Sequence, residues 1–128
     1  MCESMLKMLI LFKVLVVLVA LEFLYIMYLE TFSTTSDKTA QTFKMTVQEL
    51  QNKNVQTLFK NQGIYNGLIA LGLLCGLFFV QNGLLLVRFL LVYIILVAAY
   101  GAYSSDKSIL LKQGGLAIIA FIVSLFLK

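Results

Sequence analysis

The sequence predicts an all-α, polytopic membrane protein: four transmembrane helices in an up-down antiparallel bundle, with a short amphipathic helix in the first connection. Three observations predict it. The 128 residues are 61% hydrophobic with a mean hydropathy of +0.96, against roughly 45–50% apolar residues in an ordinary soluble domain. Four apolar runs, residues 8–29, 64–80, 84–103 and 109–127, reach or approach the ~20 residues needed to cross a ~30 Å hydrocarbon layer. The connections between them are unequal, two short turns and one long polar stretch. Residues 1–128 are therefore expected to form a single four-helix transmembrane domain with no room for a soluble one.

The first run follows or encloses Lys7 and Lys13, as a signal peptide would. It is longer than a signal h-region, and no small-x-small cleavage site follows, so it is read as a retained span. The stretch 31–60 opens with Thr31, Ser33, Thr34, Thr35 and Ser36, a composition that predicts loop. Thr46-Val47-Gln48-Glu49 then matches a capping box, in which hydroxyl and carboxylate satisfy backbone donors at a helix start. A helix over about 46–60 is expected, lying on the headgroups or acting as a lid.

Gln81-Asn82-Gly83 and residues 104–107 are too short for anything but turns, so the last three spans should be successive antiparallel neighbours. Threaded this way, four polar groups fall in one leaflet. They are Glu22, Tyr25 and Tyr28; Asn61, Gln62, Tyr65 and Asn66; Tyr100 and Tyr103; and Lys112 with Gln113. Six lysines on the side of the long loop against four basic residues opposite orient that loop toward the cytoplasm of a bacterial plasma membrane.

Glu22 lies seven residues before Leu29, hence ~10 Å inside the hydrocarbon at ~1.5 Å per residue. An acidic group there costs about 3 kcal/mol and usually faces the protein interior. Leu11, Leu15, Leu18, Glu22, Tyr25 and Leu29 share one helical face and form the expected packing seam. Lys112 is a candidate partner for Glu22, the alternative being that it snorkels to the headgroups. The amides of Asn61, Gln62 and Asn66 serve either as glue between helices or as ligand contacts. Tyr93 lies near mid-membrane, where its hydroxyl needs an internal acceptor, a ligand or a wet cavity. The candidate ligand-binding set is therefore Glu22, Tyr25, Asn61, Gln62, Tyr65, Asn66, Tyr93, Tyr100, Lys112 and Gln113.

Gly63 and Gly67 form one pair four residues apart, and Gly72 and Gly76 another, nine residues on and so on the opposite side of the helix. The second span should receive a different helix on each side. Gly114, Gly115, Ala117 and Ala120 give the fourth span a similar small-residue surface.

Several classes are set aside. With no histidine and six acidic residues, the usual ligand set for zinc, copper or haem is missing, and no cofactor is expected. Cys2 and Cys75 make no redox pair, and Cys75 is expected to be an inert buried thiol. The +4 net charge comes from scattered residues and makes no nucleic-acid stripe.

Leu21-Glu22 with Tyr25-Ile26-Met27-Tyr28-Leu29-Glu30, Asn61-Gln62-Gly63 with Tyr65-Asn66-Gly67, Tyr100-Gly101 and Gln113-Gly114 together resemble a family of small bacterial membrane proteins catalogued as a domain of unknown function. The resemblance covers nearly the whole chain and implies a four-helix membrane fold without an assigned activity. Many relatives carry histidine after the glutamate, where this chain has Phe23.

Three functions compete at this level. The first is binding or transport of a small amphiphilic or cationic molecule through a polar site centred on Glu22. A lone glutamate in the first of four short spans looks like the arrangement in small multidrug exporters, and so small a bundle would dimerise to enclose a pathway. The second is a structural or accessory membrane subunit. The third, an enzyme on a lipid-like substrate with Glu22 as acid or base, ranks below both, so no catalytic residue is assigned.

Overall fold

Amide and carbonyl groups in hydrocarbon must be satisfied within their own segment, and this chain answers with helices. The computed structural model describes residues 2–127, and among them every regular element is helical. In chain order these are α1 (Glu3–Met27), a π-helical turn (Tyr28–Phe32), α2 (Asp37–Phe43), α3 (Val47–Leu50), α4 (Lys53–Phe78), α5 (Leu84–Ser104) and α6 (Ser108–Ser124). Three helical segments, Glu3–Phe32, Lys53–Phe78 and Leu84–Ser104, have the length and composition to cross a membrane. The expected fourth crossing is shorter. α6 has 17 residues, about 26 Å at ~1.5 Å per residue, short of a ~30 Å layer. Large apolar side chains face outward, among them Phe79 at 82% exposure and Leu85 at 77%, a surface suited to lipid rather than water.

The residues divide into two compact units, residues 2–20 with 72–127 and Leu21–Leu71, with α1 and α4 contributing to both. In the first unit, Val87, Leu91, Ile94 and Ala98 line the buried face of α5 at heptad-like spacing. α6 presents Gly114, Ala117, Ala120 and Ser124. A methyl group on Gly114 would stand 3.1 Å from the Ala98 Cβ, so these two backbones approach closely. Gly72 and Gly76 receive Leu90 and Val87 of α5, each 2.9 Å from the added carbon. The turn between α4 and α5 holds Asn82 at φ 57°. Gly83 follows, where a Cβ would meet the Gly76 carbonyl oxygen; no side chain fits there.

Arg88 of α5 reaches the end of α6. Its Nε donates to Ser124 Oγ at 3.2 Å, and its Nη2 donates to the carbonyls of Ser124 and, at 3.1 Å, Leu127. The last carbonyls of a helix have no partner within it, and a fixed guanidinium satisfies that of Ser124, together with the Leu127 carbonyl beyond the helix end, while complementing the negative end of the helix dipole.

In the second unit the polar stretch is more ordered than its composition predicts. Ser36 caps α2, its Oγ accepting from the Thr39 N–H at 3.2 Å. Lys44, at φ 54°, ends that helix in the left-handed conformation. The capping box forms as the sequence predicts, with Thr46 N–H donating to Glu49 Oε1 and Glu49 N–H donating to Thr46 Oγ1, each at 3.0 Å. The single helix expected over 46–60 does not form. α3 is one turn long, and Asn52 Oδ1 then accepts from the N–H groups of Asn54 and Val55 at 2.8 and 3.4 Å. That local bond starts a new helix, α4, the second of the three segments long and apolar enough to cross a membrane. Phe43 meets Phe59 edge to face at 5.3 Å, seating α2 beside the first turns of α4.

Candidate functional site

The buried face of α1 carries Phe12, Val16, Val19 and Phe23 at 4-3-4 spacing, and Glu30 follows one heptad on. This corrects the seam expected from Leu11, Leu15, Leu18, Glu22, Tyr25 and Leu29. Leu11, Leu18 and Tyr25 are exposed, while Leu29 is buried. Two apolar stripes one residue apart run along this helix, and hydropathy does not distinguish them. Packing selects the stripe with aromatic and β-branched residues, and that choice buries a different glutamate.

Glu30 is fully buried. Its Oε1 accepts from Asn66 Nδ2 at 2.6 Å and its Oε2 from Gln62 Nε2 at 2.7 Å. Gln62 and Asn66 are four residues apart on α4, so both amides leave the same face and close on one carboxylate from two sides. Gly63 and Gly67 make that approach feasible. An added Cβ on Gly63 would collide with Thr31 Oγ1 and one on Gly67 with Met27 Sδ, so α4 runs antiparallel to the end of α1 and its π turn in close contact here. The two glycine pairs thus receive different helices, each within its own unit.

The π turn seats Glu30. The Ser33 N–H bonds five residues back, to the Tyr28 carbonyl, at 2.9 Å. The widened turn frees carbonyls that threonines then satisfy. Thr34 Oγ1 donates to the Glu30 carbonyl at 2.7 Å, and Thr31 Oγ1 donates across to the Lys60 carbonyl at 3.0 Å. Buried Thr39 donates to the Ser33 carbonyl at 2.7 Å, with that of Leu29 at 3.1 Å. Thr31, Thr34 and Thr39 thus tie this turn down, while residues 33–36 form the non-helical connection that their composition predicts.

Glu22, the carboxylate singled out in the sequence, is half-buried. Its Oε1 is shielded and has no hydrogen-bond partner among the described residues. Tyr25 and Tyr28 follow along α1 with their rings stacked, 6.4 Å apart at 22°. Both rings are about half exposed. A shielded, unpartnered carboxylate oxygen and an aromatic pair therefore lie along one side of the helix.

Of the ten candidate residues, Glu22, Tyr25, Asn61, Gln62, Tyr65 and Asn66 belong to the second unit, where Gln62 and Asn66 meet Glu30 and Asn61 and Tyr65 are exposed. Tyr93, Tyr100, Lys112 and Gln113 belong to the first. Tyr93, Tyr100 and Lys112 are exposed there, and Gln113 is half-buried. Glu22 and Lys112, the expected partners, thus belong to different units. Cys75, expected to be buried, is on an exposed face of α4. Sequence reasoning passed over Glu30, Thr31, Thr34, Thr39 and Arg88. For Glu30 the available signal was its place one heptad beyond Phe23, facing amides spaced for a single acceptor.

The sequence model of the family described as "Protein of unknown function (DUF1304)" matches residues 17–125. A relative named "Uncharacterized protein YpaA", from Lactococcus lactis subsp. lactis (strain IL1403), is 60% identical over 98 residues, which cover 77% of this chain and 82% of the relative. No solved structure matches.

Proposed function

The chain belongs to the DUF1304 family of proteins of unknown function, and on that premise we propose that it is a small membrane protein that binds an amphiphilic cation at Glu22. The observation that carries this reading is the shielded Glu22 Oε1 without a hydrogen-bond partner, beside the stacked rings of Tyr25 and Tyr28. A carboxylate neutralises a cation, and aromatic faces attract its positive charge by about 0.5–2 kcal/mol each. Glu30, Gln62 and Asn66 supply the rigid frame behind it, because both oxygens of Glu30 are already taken by amides. Asn61 and Tyr65, exposed in the same unit, are the remaining polar contacts open to a ligand that extends along the helices, or to a second copy of the chain.

In this reading α6 makes the fourth crossing. It is followed by apolar Leu125, Phe126 and Leu127, and a locally thinner bilayer accommodates a short span at modest cost. The long connection, with its excess of lysine, faces the cytoplasm of a bacterial cell membrane.

The test uses the full chain in lipid nanodiscs with tetraphenylphosphonium as probe. Calorimetry should detect binding that Glu22→Gln weakens at least tenfold, while Tyr25→Leu weakens it less. Liposomes under a pH gradient then ask whether the bound cation is moved. Absence of binding to the wild type would discard the reading in favour of an accessory subunit. That second reading draws on Glu30, whose saturated hydrogen bonding suits a packing role.

A further inference from the structure

The first unit contains a cleft of about 680 Å³, within the ~300–1,000 Å³ range of small-molecule sites. Its wall is mostly aliphatic and aromatic, including Leu9, Phe12, Leu77 and Leu84, and Lys13 is its one charged lining residue. Lys13 is half-buried. Its Nζ stands 6.0 Å from the centre of the Phe78 ring, at the limit of cation–π contact, and no carboxylate pairs with it among the described residues. The neighbouring Lys7 differs, being paired with Glu3 at 3.2 Å. Asn82 adds an amide to the lining.

We propose that this cleft is a binding site for an anionic phospholipid, with the headgroup phosphate on Lys13 and one acyl chain along the apolar wall. A lysine half-withdrawn from solvent, without a counter-ion and beside an apolar trough, is complementary to a molecule that joins a negative charge to a hydrocarbon chain. Snorkelling to the headgroups would account for an unpaired ammonium but not for the trough beside it. The site is separate from Glu22: it takes the opposite charge and stands whether or not a cation binds there.

The test measures lipid selectivity of the full-length protein in mixed micelles, by native mass spectrometry with phosphatidylglycerol and phosphatidylcholine of equal chain length. The wild type should retain one phosphatidylglycerol in preference to phosphatidylcholine. Lys13→Gln should reduce that preference about fivefold, the effect of roughly 1 kcal/mol per lysine. Lys13→Arg should keep it, and Lys7→Gln should leave it unchanged. Leu84→Trp, which fills the cleft while keeping the lysine, should also lower retention and guards against a fold defect in the charge variant. Equal preference in Lys13→Gln and wild type would overturn the proposal, as would equal losses in the Lys7 and Lys13 variants. Retention of palmitate without preference for phosphatidylglycerol would overturn it as well, leaving a fatty-acid site.

Discussion

Glu30 Oε1 accepts a 2.6 Å hydrogen bond from Asn66 Nδ2, joining the π turn after α1 to a helix whose contributing residue lies 36 positions later. Gln62 holds the other oxygen. Replacing Glu30 by Gln should destabilise the protein by about 1–3 kcal/mol, because one amide donor would then face another and a buried group would go unpaired. Glu30→Ala strands both amides and should cost more. Thermal unfolding in detergent, followed by circular dichroism, measures both; an unchanged midpoint for Glu30→Ala would refute the clamp.

Gly63 and Gly67 should differ in their tolerance of alanine. At Gly63 the new methyl meets Thr31 Oγ1, which is engaged with the Lys60 carbonyl, and Glu30 Cβ stands 3.1 Å away. At Gly67 it meets chiefly Met27 Sδ, on a side chain that can turn aside. Gly63→Ala is expected to cost about 1–3 kcal/mol and Gly67→Ala under about 1 kcal/mol. The same melting assay ranks them, and the reverse order would contradict the geometry.

Arg88 is expected to hold the end of α6. Arg88→Met removes donors to two carbonyls and to the Ser124 hydroxyl, and charged hydrogen bonds of this kind contribute ~1.5–3 kcal/mol each. Lysine lacks the fork and should restore only part of the loss. Hydrogen exchange across residues 120–127 should accelerate in Arg88→Met while residues 85–100 stay protected. Uniform acceleration would point to global unfolding instead.

The capping box adds a pH dependence. Hydrogen bonds from the Thr46 backbone N–H, and then from its hydroxyl, hold the Glu49 carboxyl below the usual range. A carboxylate with a depressed folded pKa stabilises above its unfolded value, about 4.3, and that contribution fades as pH falls through the folded value. Amide exchange at residues 46–51, corrected for intrinsic rates, should therefore gain amplitude below about pH 4 in the wild type. Thr46→Ala, which removes the hydroxyl and keeps the backbone donor, should reduce that acid response; an identical pH profile in both would remove the Thr46 hydroxyl as a source of it.

Local chemistry was legible in the sequence. Apolar runs of spanning length, the Thr46–Glu49 box, the Asn82-Gly83 turn and the two-sided glycine pattern of α4 each depend on residues close in sequence, where periodicity and backbone geometry suffice. The segment expected to make a fourth crossing forms a helix shorter than its hydropathy suggested, because hydropathy continues past the helix end at Ser124. The break at Asn52 was hidden for a related reason. Asparagine both interrupts a stripe and caps the next helix, and propensity alone does not say which.

The choice between Glu22 and Glu30 belonged to tertiary structure. Both are acidic residues on one apolar segment, and only the packed stripe decides which faces inward. That decision rests on amides 32 and 36 residues away and on a π turn whose widened hydrogen bond depends on threonine hydroxyls returning to the backbone. Arg88 follows the same rule, since its acceptors are carbonyls at the far end of the chain. The sequence by itself determined which segments become helical and apolar; the meeting of those segments determined which polar groups are locked and which remain open. Hydrogen bonds between helices require a donor and acceptor at matching depth and rotation, a condition written in no local stretch of the chain.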